Sequence, residues 1–73
     1  MDEIADIIEA ELERFPGEET LANALRCAAW IVHDKFPDAT SSDFGDAAAS
    51  LGQHRQAAMN RWNEAKANAG DDW

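Results

Sequence analysis

The sequence predicts an all-α protein, a small four-helix domain. Three observations carry that expectation. Apolar residues return every three or four positions through successive segments. The breaks between those segments, at Pro16-Gly17, Pro37 and Gly52, fall at helix-length intervals. The 73 residues hold no internal repeat, no low-complexity tract and no linker long enough to separate domains. Residues 1–70 are therefore expected to form one helical domain, with helices over about 2–15, 18–36, 42–51 and 54–68 and a tail at 71–73.

In the first helix Ile4, Ile7, Ile8, Leu12 and Phe15 share a face, while Asp2, Asp6, Glu9 and Glu13 fall opposite. Pro16 restricts the residue before it and Gly17 follows, so the helix should stop near Phe15. The second helix should open around Pro16 to Glu19, where proline is tolerated and Glu18 and Glu19 meet unpaired N–H groups. Leu21, Ala24, Leu25, Ala28, Ile31, Val32 and Phe36 then give a broad apolar face bordered by Cys27 and Trp30. This helix is expected to be the central element, with Pro37 as its stop.

Thr40, Ser41 or Ser42 can cap the third helix, and Thr40 with Asp43 approximates a capping box. Phe44, Ala47, Ala48 and Leu51 form its inner side. Gly52 supplies positive φ for a tight turn. The fourth helix, from about His54 to Asn68, should turn Ala58, Trp62, Ala65 and Met59 inward and Arg55, Asn60, Arg61 and Lys66 outward. Ile4, Ile8, Leu12, Leu25, Ile31, Phe36, Phe44, Leu51 and Trp62 are the expected core. Gly70, Asp71 and Asp72 read as a fraying tail, and Trp73 as a docking contact.

Size and charge narrow the function classes. The apolar fraction of 45% is ordinary, but much of it is alanine, which packs helices closely while burying little area. Little remains to shape a deep substrate pocket, and a homodimer or a bound partner would supply the missing burial. The net charge is -9 and the pI is near 4.3, which disfavours a dedicated polyanion binder. Residues 1–20 carry eight carboxylates against Arg14 alone, a net of -7, so the acidity is concentrated at the front.

Catalysis has few candidates. His33 beside Asp34, and isolated His54, are the only groups suited to proton transfer near neutral pH, and adjacent helical residues diverge by about 100°. No nucleophile stands with them, so no catalytic residue is assigned and no enzyme activity is expected. Cys27 reads as a small buried hydrophobe. One cysteine and two distant histidines give no metal-ligand set, and the four scattered glycines make no phosphate loop, so neither metal nor cofactor is expected. Asp2, Glu3 and Asp6 stand where an export signal needs positive charge, no apolar run is long enough to span a bilayer, and the lone cysteine forms no internal disulfide. The expectation is a cytoplasmic protein with no membrane contact.

The acidic face of the first helix is the most specific feature. Asp2, Glu3, Asp6, Glu9 and Glu13 place a carboxylate about every 5–6 Å, because each residue rises about 1.5 Å. That interval is comparable with phosphate spacing along a nucleic acid, so such a helix suits the basic groove of a nucleic-acid-handling protein, as an inhibitor or DNA mimic. Asp2–Asp6 and Glu9–Glu13 are like-charge pairs four apart, each costing a few tenths of a kcal/mol with no lysine to offset them.

The segment from Asp43 to Trp62, with its small Ala48 four residues before Gly52, resembles a helix-turn-helix hairpin. Thr40, Asp43, Phe44, Ala47, Ala48, Gly52, Arg61 and Trp62 also resemble the C-terminal part of small phage and plasmid helix-turn-helix-like proteins, over residues 40–66. The resemblance implies a helix-turn-helix-like C-terminal hairpin, a phage or plasmid origin and DNA binding. Gln53, His54, Arg55, Gln56, Asn60 and Arg61 would then reach bases or phosphates. The chain departs from that group in lacking a basic flank, and its acidic front would repel phosphate. The leading expectation is therefore an acidic protein-binding regulator or inhibitor facing a basic protein, with direct nucleic-acid binding second and a small structural subunit of an assembly third.

Overall fold

A computed structural model describes residues 3–69; residues 1–2 and 70–73, including Asp2, the tail and Trp73, lie outside the described residues. The described residues form four α-helices, α1 (Glu3–Arg14), α2 (Leu21–Lys35), α3 (Ser41–Ser50) and α4 (Arg55–Ala69), with a short 3-10 turn at Glu18–Thr20. The all-α four-helix expectation holds. Each helix packs chiefly on two others: α1 on α2 and α3, and α4 on α2 and α3. The four therefore close a ring around a shared core, and α2 is one wall of it rather than the central element expected from its length.

The start of α2 also differs from expectation. Gly17 adopts a φ of 107°, a conformation that favours glycine, and breaks the helical path after Pro16. The Thr20 hydroxyl then lies within 2.9–3.2 Å of the carbonyls of Phe15, Pro16 and Gly17, tying the end of α1 to the entry of α2. Glu18 and Glu19 thus belong to a separate tight turn, and α2 proper begins at Leu21.

The second connection forms as read. Thr40 accepts from the Asp43 backbone N–H at 3.2 Å, and Asp43 accepts from the Thr40 N–H at 3.1 Å, a complete capping box. Gly52, at φ 81°, turns the chain between α3 and α4. The backbone N–H groups of Gly52 and Gln53 donate to the carbonyls of Ala49 and Ala48, closing the end of α3. His54 opens α4: its Nδ1 accepts from the Ala57 N–H at 3.3 Å, the position a Ser or Asp cap usually fills.

Eight of the thirteen buried apolar side chains among the described residues are alanine. Such a core brings backbones close together but leaves most buried area to a few large groups, here Ile8, Leu25, Val32, Phe44 and Trp62. The Phe44 and Trp62 rings lie 5.3 Å apart at 39°, joining α3 to α4. Of the expected core, Ile8, Leu25, Phe44 and Trp62 are buried, while Ile4, Leu12, Phe36 and Leu51 are half-buried against it. Ile31 is a correction. It is half-buried and outside the central cluster, because Leu25, Ala28, Ala29 and Val32 share the inward face and Ile31 sits about 100° away from Val32.

At Gly45 α3 and α4 pack closely. A Cβ there would lie 2.6 Å from Met59 Cγ and 3.2 Å from the Arg55 carbonyl oxygen. The absence of a side chain is what lets α4 seat Met59 and Arg55 on that side of α3.

Candidate functional site

The polar residues divide into those the fold uses and those it leaves to solvent. Glu64 on α4 accepts from Arg26 on α2 at 3.1 and 3.2 Å and from Arg61 at 2.8 Å, so one carboxylate bridges two helices. Arg26 also donates to Asn23 at 2.9 Å. Arg55 donates to Asp46 at 2.6 Å across the α3–α4 turn. These partly exposed pairs contribute about 1 kcal/mol each at most. Their main effect is to commit three of the six Lys and Arg side chains to internal partners.

Arg14 is the fourth. It pairs with Glu11 at 3.3 Å and lies 5.5 Å over the Phe15 ring. Glu11 is only 3% exposed, and its Oε2 faces Arg14 outside hydrogen-bonding geometry. A buried carboxylate held by one exposed arginine carries a desolvation cost that the pairing does not fully offset. Replacing Glu11 with leucine is therefore expected to raise stability by about 1 kcal/mol or more, measured by chemical denaturation. A loss above about 1 kcal/mol would contradict this reading of its surroundings.

The acidic strip is arranged otherwise. Glu3, Asp6, Glu9 and Glu13 are all exposed on α1, and none forms an ion pair with another described residue. Arg14, the only cation on the helix, is turned to Glu11 and Phe15. Asp2, expected at the head of the strip, lies outside the described residues.

The residues considered for nucleic-acid contact are more engaged. Gln53 is half-buried, and His54 caps α4. Gln56 donates to Asn60 at 3.1 Å. Arg61, expected to face solvent, is half-buried, with its Nε buried and without a hydrogen-bond acceptor. Packing against α2 explains the correction, since Arg61 stands one turn from Ala65 and Ala58 on the buried side of α4.

No group of three or more His, Cys, Asp or Glu residues suited to holding a metal occurs among the described residues. Cys27 is half-buried and free. No helix of the described residues is long and apolar enough to cross a membrane. No family model, curated protein or solved structure matches the chain.

Sequence reasoning missed Glu11 and Gly45. Glu11 stands three residues after Ile8 and four before Phe15, so its spacing assigned it to the inner face even though its type did not. Gly45, inside a helical pattern, carried the usual sign of close packing, but its neighbours Met59 and Arg55 lie on the next helix.

Proposed function

We propose that this protein is an acidic protein-binding regulator or inhibitor whose α1 strip occupies a basic surface of a nucleic-acid-handling protein. The observation that carries the reading is the unpaired state of Glu3, Asp6, Glu9 and Glu13 among the described residues while Arg14, Arg26, Arg55 and Arg61 are committed elsewhere. Like charges left on one face cost stability in the free chain and gain energy only when a partner brings the cations.

An untagged pulldown from host lysate, paired with a duplex DNA shift at about 150 mM salt, tests it. The expected result is retention of a basic nucleic-acid-handling protein that rising salt releases and that Glu9→Lys with Glu13→Lys abolishes. Retention unchanged by that reversal would end the reading.

A second reading, DNA recognition through α4 in a helix-turn-helix-like hairpin, is favoured by one observation. Residues 51–54, with Gly52 at positive φ, join α3 and α4 by a turn of the length that motif uses. The engagement of Arg55 with Asp46 and of Arg61 with Glu64 weighs against it. On this reading the DNA shift would be specific and lost with Arg55→Ala and Arg61→Ala, while the α1 reversals would leave it intact.

A further inference from the structure

Beside the end of α1 the surface holds two adjoining hollows. One, of about 360 Å³, is walled by Leu12, Phe15 and Leu21, with Gln53 at its side. The other, of about 180 Å³, continues from Leu21 along Ala22 to Ala57 on α4. Glu18 and Leu21 line both, so they form one groove running from α1 across the 3-10 turn to α4.

We propose that this groove seats the apolar side chains of a basic amphipathic helix belonging to the partner whose cations meet the α1 strip. The inference rests on that reading of α1 and specifies the partner's contact: an apolar anchor flanked by Lys or Arg. Three features select this occupant. Half-buried Leu12, Phe15 and Leu21 leave apolar surface at the groove that a leucine or phenylalanine of a docked helix would cover. Glu18, exposed in the middle of the groove, has no ion-pair partner among the described residues. Glu9 and Glu13 are exposed on α1, the helix that supplies Leu12 to the groove, although neither lines it. Arg61, at the far end, is already held by Glu64 and does not reverse the sign of the rim. A second copy of this chain would bring a charge of -9 to the same place, which disfavours it as the occupant.

The test uses two synthetic peptides, an amphipathic leucine–lysine helix and a serine–lysine counterpart of equal charge, titrated into the 15N-labelled protein. The leucine–lysine helix is expected to bind at least about tenfold tighter, with shifts at Leu12, Phe15, Leu21 and Ala22. Ala57→Gln, which adds a side chain to the groove from an exposed position, should erase that difference and leave the serine–lysine affinity unchanged. Equal affinities for the two peptides would overturn the groove while leaving the strip standing. Binding of the leucine–lysine helix alone, sensitive to Ala57→Gln but not to Glu9→Lys, would support the groove and refute the strip. Failure of both peptides would refute both, and a dimer of the free protein broken by Ala57→Gln would name a second copy as the occupant and overturn the proposal.

Discussion

Replacing Trp62 with alanine is expected to cost about 3–5 kcal/mol of folding stability. Trp62 is 5% exposed, packs its ring against Phe44 and stands in a core otherwise made largely of alanine. Neighbouring alanines have no side-chain freedom with which to collapse into the space left, so the cavity term adds to the lost transfer energy. Domains of this length hold about 4–11 kcal/mol in all, so the variant should be largely unfolded or close to it at moderate denaturant. Circular dichroism with urea titration measures it. A loss under about 1 kcal/mol would refute the burial assigned to this ring.

The next largest effect is expected at Gly45. An alanine there gains about 1 kcal/mol of helix propensity but must push Met59 Cγ from 2.6 Å, so the two terms nearly offset. A leucine has no such balance. Met59 can turn aside, yet the Arg55 carbonyl at 3.2 Å from the Cβ position is backbone and holds the first turn of α4. Gly45→Leu should therefore cost about 2–3 kcal/mol by forcing α3 and α4 apart. The companion loss of the Arg55–Asp46 pair would appear as altered NMR shifts at both residues. A neutral Gly45→Leu would show that the approach is looser than the 2.6 Å between the Cβ position and Met59 Cγ implies.

What the sequence made legible were features set within a few residues. The Thr40–Asp43 capping box, the Gly52 turn and the end of α1 before Pro16 each depend on residues at most four apart, and each formed. The phase of α2 was harder, because the apolar face from Leu21 to Phe36 is wide enough to admit either Ile31 or Val32 at its centre. Packing on α1 and α4 decided for Val32. The bridge from Arg26 to Glu64 spans 38 residues and follows only from the way α2 lies along α4. At the candidate site, the outward set of Glu3, Asp6, Glu9 and Glu13 followed from helical period alone. Glu11 did not, because its charge argued for solvent while its register placed it inside.

The functional proposal depends on α1 holding an anionic row that the fold itself does not neutralise. A cation introduced into that row should therefore stabilise the free protein even as it removes partner binding. Glu13→Lys puts an ammonium one turn after the Glu9 carboxylate, the favourable order for such a pair, and sets a positive charge in the last turn of α1, together about 0.5–1 kcal/mol. Thermal unfolding at low ionic strength should show a melting temperature about 2–8 °C higher than that of the parent. That gain should shrink at about 1 M salt, where screening is nearly complete. A lower melting temperature would mean that the Glu13 carboxylate already has its counter-charge within the fold, and an increase indifferent to salt would mean that the gain is not electrostatic; either result would contradict the account.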